Sequence, residues 1–233
     1  MKMKVIAHIY TDFPEKFGIP RQSGLIEELE GKIVFTPEYR NPEALRGLED
    51  FSHIWLLWEF SEAVREDWRP TVRPPLLGGN KRMGVFATRS PFRPNSIGLS
   101  SVKLDRIEQT EKEGTVLYVK GADLMNGTPI YDIKPYLPYA DSHPEAVGGF
   151  TENLDERKLE VDFPEDLLAK VPEKKRQALI KVLACDPRPS YQNDEERVYG
   201  LPFGGVEVSF KVKGKVLTVI EIRNSECTIR NRG

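Results

Sequence analysis

From residue 5 to residue 133, short apolar runs alternate with knots of proline and glycine, and almost nothing in that span repeats at helical spacing. Apolar, β-branched and aromatic runs bounded by turn formers read as strands. They fall at residues 5–10, 31–36, 52–60, 83–87, 97–107, 115–120 and 130–133. Strands at this density predict a closed or nearly closed antiparallel β-barrel. Residues 42–48 have room for one or two helical turns. The prolines of residues 69–80 exclude helix there and all but exclude a central strand.

Near residues 143–153 the composition turns small and polar, as at a domain boundary. Beyond it, residues 163–183 carry helical spacing, with Leu167, Leu168, Val171, Leu179, Ile180 and Leu183 as the apolar face. Pro172 ends one helix and sits in the first turn of the next. Residues 205–212 and 215–222 make a hairpin about Lys213 and Gly214. The chain is mainly β: a barrel over residues 1–145 and a small α+β extension over residues 146–233.

Composition narrows the function. Charge is close to balanced, at net −2, so no global basic field advertises nucleic acid, although Arg and Lys cluster over residues 65–93. No apolar run approaches the roughly 20 residues that span a bilayer, and the first residues carry no signal-peptide pattern. Cys185 and Cys227 are too few and too far apart for a disulfide framework or a cysteine zinc site, and they fit a reducing cytoplasm. His8, His53 and His143 lack metal-ligand spacing. His8 and His53, in strand patterns, read as structural. Glycine-rich nucleotide loops and a serine-nucleophile elbow are absent.

Three polar loops interrupt the strands, at residues 20–24, 88–95 and 123–129. They bring Gln22, Arg89, Arg93, Asn95, Asp123 and Asn126, with exposed backbone at Gly24 and Gly127. Donors and acceptors of both signs suit a zwitterionic or polar small ligand. The alternative is that these loops only cap the barrel, with Asp123 and Asn126 in local turns. Asp186-Pro187-Arg188-Pro189-Ser190-Tyr191 has two readings as well. It is either a helix-terminating turn or a set of acceptors and an aromatic ring for a base bearing an exocyclic amine. Arg69, Arg73, Lys81 and Arg82 are either a solvated face or contacts to RNA phosphates.

Gly84-Val85-Phe86-Ala87-Thr88-Arg89-Ser90-Pro91-Phe92-Arg93-Pro94-Asn95 resembles the signature of the TsaA-like family, to which the tRNA methyltransferase O enzymes belong. The blocks at residues 16–25, 47–55, 69–80, 123–128 and 132–139 resemble that family too. Residues 186–191 resemble a block of the bacterial enzymes' C-terminal extension. The resemblance implies an S-adenosylmethionine-binding barrel, a cytoplasmic homodimer whose partner chain helps to complete the site, and no metal. It implies methylation of N6 in threonylcarbamoyladenosine at position 37 of tRNA, beside the anticodon. Matched by motif, cofactor contacts fall on Gln22, Ser23, Gly24, Phe60, Ser61, Arg89, Leu99, Asp123, Leu124, Met125 and Asn126. Ser61 stands where relatives have histidine, and Met125-Asn126 where they have Val-Asp. Arg89 is matched to the cofactor carboxylate or to the loop itself, and Asp123 to the ribose or the amine. Asp186 and Tyr191 are the catalytic candidates, Asp186 or a backbone carbonyl taking the N6 hydrogen bond. Two other functions fit the same residues: a barrel that binds S-adenosylmethionine or RNA without chemistry, and a methyltransferase for another substrate.

Overall fold

The computed structural model describes residues 3–63, 67–77, 81–152, 158–188 and 194–225. The chain runs through β1 (Ala7–Tyr10), β2 (Glu30–Phe35), β3 (His53–Glu59), β4 (Thr71–Val72), β5 (Met83–Gly84), β6 (Ile97–Thr110), β7 (Gly114–Lys120) and β8 (Thr128–Pro135). A single turn, α1 (Pro138–Asp141), follows. Then come β9 (Glu160–Asp162), α2 (Glu165–Leu168), α3 (Glu173–Ala184), β10 (Tyr199–Phe203), β11 (Val206–Lys213) and β12 (Val216–Asn224).

Six strands close into a barrel in the order β1-β2-β7-β6-β3-β8, and every neighbouring pair is antiparallel. Period-two alternation fills its interior. On β3, Ile54, Leu56 and Trp58 point in while Trp55, Leu57 and Glu59 stay partly exposed. Ala7, Ile9, Ile33, Phe35, Val102, Leu117, Val119 and Ile130 complete the barrel core.

This topology decides where the polar loops go. Because direction alternates around the barrel, the β1–β2, β3–β6 and β7–β8 connections all leave from the same end. The three loops that sequence singled out are on those connections.

A second core lies under the C-terminal sheet, ordered β10-β11-β12-β9, with β9 parallel to β12 and α3 packed on it through Ala178, Leu179, Val182 and Leu183. Phe13, Ile26 and Leu29 of the β1–β2 loop are buried in this second core, and Phe17 and Ile19 pack against it. The loop is therefore shared between barrel and extension.

Several local expectations are corrected. The strand expected at residues 83–87 is only Met83–Gly84. Val85–Ala87 turns as a 3-10 helix, closed by the Thr88 N–H on the Val85 carbonyl at 3.2 Å. A second 3-10 turn, Pro75–Leu77, sits in the segment from which helix was excluded, since proline is tolerated where a first-turn N–H would have no partner. The two helices expected on either side of Pro172 are present, but Pro172 is the N-cap of α3, one step before its first turn, and α2 already ends at Leu168. β9 and β10 were missed, being short and beside polar loops. His53 is exposed on the outer barrel face, beside Ser52 Oγ at 2.9 Å. Among the described residues, no helix is long and apolar enough to cross a membrane, and no group of His, Cys, Asp or Glu is arranged to hold a metal.

Candidate functional site

Asp123 follows β7 by three residues and turns its carboxylate into the barrel mouth. The Ser100 hydroxyl on β6 donates to Asp123 Oδ1 at 2.6 Å, and the buried Trp58 indole on β3 donates to Ser100 Oγ at 3.0 Å. The backbone N–H groups of Ser23 and of Asp123 itself also favour the ionised carboxylate, as does the charge of Arg89. Burial outweighs these terms and raises the Asp123 pKa above the ordinary carboxylate range. A carboxylate kept short of water and short of a direct cationic partner is poised to gain from a ligand that brings positive charge or hydroxyl donors.

The other two loops close on it. Arg89 donates from Nη1 to Gln22 Oε1, joining the β3–β6 and β1–β2 connections. Gly24 N–H donates to the Gly121 carbonyl at 2.9 Å, and Gly121 N–H to the Leu29 carbonyl at 2.8 Å. Gly24 has φ +79°, and a Cβ there would meet nothing within 4 Å, which leaves backbone open beside Asp123. Gly121, at φ +74°, has Gly24 backbone 3.1 Å from where its own Cβ would stand. Glycine is needed there for conformation and for close approach.

Phe60 joins through its ring, 4.2 Å from the Trp58 ring, and its N–H donates to the Ser96 carbonyl at 2.9 Å. Arg93, one of the polar-loop candidates, braces the bend. Its Nη1 donates to the carbonyls of Thr88 at 2.7 Å and Val85 at 3.2 Å.

The remaining candidates divide. Ser61 is exposed beside Phe60. Leu99 lies between the inward Gly98 and Ser100, so its side chain is on the outer face, 54% exposed. The Leu124 side chain is fully buried in the barrel core and cannot meet a ligand. Leu124 and Met125 use their carbonyls within the fold, for the hydroxyls of Thr11 at 2.9 Å and Thr128 at 2.7 Å. The Asn126 side chain accepts from Thr11 N–H at 3.1 Å and so ties two loops together, while its backbone sits in the turn that Thr128 N–H closes on the Met125 carbonyl at 3.2 Å.

Asp186 follows α3 at φ +51°, an unusual conformation for a residue with a side chain. Its carboxylate receives Arg188 in a two-pronged pair, Nε to Oδ1 at 2.8 Å and Nη2 to Oδ2 at 3.0 Å, with both side chains only about a tenth exposed. The acceptor that sequence offered to a substrate is thus engaged within its own turn. Tyr191 lies outside the described residues.

Sequence reasoning missed Ser100 and Trp58. The available signal was Gly98, a glycine inside a strand, which marks a close approach. A Cβ on Gly98 would stand 2.2 Å from Trp58 Cε2. Gly98→Ala is therefore expected to push the indole off Ser100, destabilise the protein by about 1–3 kcal/mol and weaken ligand binding at Asp123. Thermal melting and cofactor titration on one preparation check both effects. A concavity of about 460 Å³, lined by residues including Ile6, Phe35, Leu45 and Ile133, is at the opposite barrel end and includes none of these groups.

Comparisons with known proteins agree with this architecture. Residues 8–142 match the tRNA-methyltransferase O N-terminal domain, and residues 156–225 match the TrmO C-terminal domain. The chain is 43% identical over 197 residues to a tRNA (adenine(37)-N6)-methyltransferase of Escherichia coli (strain K12), covering 82% of this chain and 83% of that one. It is 41% identical over 211 residues to a putative S-adenosylmethionine-dependent methyltransferase of Pseudomonas aeruginosa, covering 87% and 89%. A crystal structure of TrmO from Pseudomonas aeruginosa superposes with a TM-score of 0.77 at 31% identity, covering 96% of this chain and 99% of that one. With both domain models matched in order and the fold shared along nearly the whole length, the chain belongs to the tRNA-methyltransferase O family.

Proposed function

We propose that this protein is an S-adenosylmethionine-dependent tRNA methyltransferase acting on N6 of threonylcarbamoyladenosine at position 37. The observation that carries the reading is the meeting of Gln22, Ser23, Arg89 and Asp123 at one barrel end, in a chain of this family.

The donor set fits the cofactor. Asp123 offers a buried carboxylate to a ribose diol or an ammonium group. Arg89, held at its tip by Gln22, offers a guanidinium to a carboxylate. Gly24 leaves backbone open between them, and the Phe60 ring supplies an apolar wall. When bound, S-adenosylmethionine supplies a methyl group on a positively charged sulfonium.

The protein's work is mainly positioning. Holding the adenine amine in line with the methyl group removes much of the entropic barrier, up to about 7–11 kcal/mol for a well-oriented pair. N6 gains the methyl group and loses one proton, and the sulfur leaves as a neutral thioether. No strong base is needed beforehand, because the N6 proton becomes acidic as the bond forms. With its carboxylate taken by Arg188, Asp186 acts by fixing the turn of residues 186–188, and a backbone carbonyl takes the N6 hydrogen bond.

Ile97 and Leu99, exposed on the outer face beside the site, support a homodimer in which the partner chain covers the cofactor. The cytoplasm, where tRNA is available, is the compartment this reading assigns to the enzyme.

The test uses methyl-labelled cofactor and tRNA with or without the threonylcarbamoyl group at A37. Label is expected on the modified tRNA alone, and light scattering of the same preparation should give a dimer. Cofactor binding with no transfer to either RNA overturns the catalytic reading, and equal transfer to both overturns the substrate.

A further inference from the structure

The β3–β6 connection carries a second feature that the cofactor cluster does not use. Phe86 is 70% exposed and Trp68 is 48% exposed, and their rings stack 5.9 Å apart at 30°. The Arg93 guanidinium lies 5.6 Å from the Phe86 ring centre. This exposure is enforced by the backbone. Val85, immediately before Phe86, is buried, and its N–H donates to the Pro70 carbonyl at 2.9 Å. The Val85 carbonyl receives both Thr88 N–H and Arg93. β4 and β5 pair Thr71 with Gly84 and Val72 with Met83, which brings Trp68, three residues before β4, and Phe86, two residues after β5, to the same end of the pair. A rigid turn therefore holds a large apolar ring out in water, at an energetic cost that a bound partner would relieve.

Charge identifies the partner. Residues 68–95 contain six of the chain's 34 Lys and Arg and none of its 36 Asp and Glu. Arg69, Arg73, Lys81 and Arg82 are exposed and form no ion pair among the described residues. In a chain of net charge −2, this is a concentrated basic surface, interleaved with aromatic rings and continuous in sequence with Arg89. Flat apolar rings flanked by cations are complementary to a single-stranded nucleic acid, whose bases stack and whose phosphates need neutralising. A protein partner would have to bring both an apolar patch for the rings and carboxylates for the four cations, whereas single-stranded RNA carries base faces and phosphates along its whole length.

The geometry points to the Trp68–Phe86 pair as a stacking platform for an unpaired base of the substrate RNA, with Arg69, Arg73, Lys81 and Arg82 along the neighbouring phosphates. This rests on the RNA reading above and adds where the loop is gripped. Unpaired loop bases, splayed from the helix, are what such a platform recognises.

The test compares Phe86→Leu, which keeps apolar bulk without a π face, with Phe86→Trp, which keeps the face. Binding is measured to an anticodon stem-loop RNA and to a blunt RNA duplex, alongside cofactor affinity and methyl transfer. Phe86→Leu is expected to weaken stem-loop binding roughly 5- to 20-fold, with cofactor affinity and duplex binding unchanged, and Phe86→Trp to restore it. Stem-loop RNA should also quench tryptophan fluorescence in the wild type but much less in Trp68→Phe, which leaves only the two barrel tryptophans. Wild-type binding by Phe86→Leu overturns the platform. So does a shift from dimer to monomer in light scattering of that variant, since the rings would then face a second copy. If the wild type transfers no methyl group to any RNA, the functional reading fails before the platform is reached.

Discussion

Asp123→Asn is expected to weaken cofactor binding by roughly 10- to 150-fold, the range of one hydrogen bond to a charged group, without lowering thermal stability at neutral pH. The two halves of this result come from one cause. Burial raises the Asp123 pKa against the pull of Ser100, Ser23 and Arg89, so the ionised form is costly in the free protein. Asparagine keeps an oxygen for the Ser100 hydroxyl and removes the buried charge.

The pH dependence has opposite signs for stability and for binding. A carboxyl whose folded pKa is raised holds more protons than in the unfolded chain between the unfolded value, about 3.9, and the raised folded one. Stability of the free protein therefore falls as pH rises through that window. A cationic ligand needs the ionised carboxylate, so its affinity rises over the same window and then levels off. Titrating cofactor from about pH 4.5 to 8 should give a rising curve for wild type and a flat one for Asp123→Asn. An equally steep curve in the variant would assign the titration to another group and remove Asp123 from the cofactor.

The pattern of what sequence reveals is physical. Strand runs and proline-glycine turns signal an antiparallel barrel, because alternation and turn chemistry are local properties. Antiparallel order then sends alternate connections to one end, which is why sequence alone groups Gln22, Arg89 and Asp123. Ser100 and Trp58 depend on register, with Trp58 opposite Gly98, and a lone serine in a strand has no local signature. Asp186 depends on a left-handed turn that folds Arg188 back two residues later, and composition does not encode that. Residues 13–29 show a third kind of loss. The prolines and glycines of residues 14–24 signal a loop, yet Phe13, Phe17, Ile19, Ile26 and Leu29 are far too apolar for a solvated one. That excess belongs to the core of the other domain.

This shared loop sets the second large effect. Phe13→Ala is expected to destabilise the protein by about 3–5 kcal/mol and to weaken cofactor binding as well. Phe13 is 1% exposed and meets Phe203 edge to face, with ring centres 5.3 Å apart. The adjoining Asp12 receives Lys175 of α3 at 2.6 Å, and its carbonyl receives Gly204 N–H at 2.8 Å. The Phe13 carbonyl accepts Asn126 N–H at 2.8 Å, so the same residue touches the Asp123 loop. At the other end of the loop, Ile26 and Leu29 are buried in the same C-terminal core. Gln22, Ser23 and Gly24 are thus strung between two anchors in the extension while they face the barrel. Phe210→Ala separates stability from positioning. Phe210 is fully buried in the same core but on β11, outside the loop. Both variants should melt earlier by comparable amounts. At a temperature where both are folded, only Phe13→Ala should bind cofactor weakly, because only it frees the loop's first anchor. Wild-type cofactor affinity in Phe13→Ala would confine the extension to stability. Loss in Phe13→Ala alone makes the extension part of the machinery that holds the cofactor.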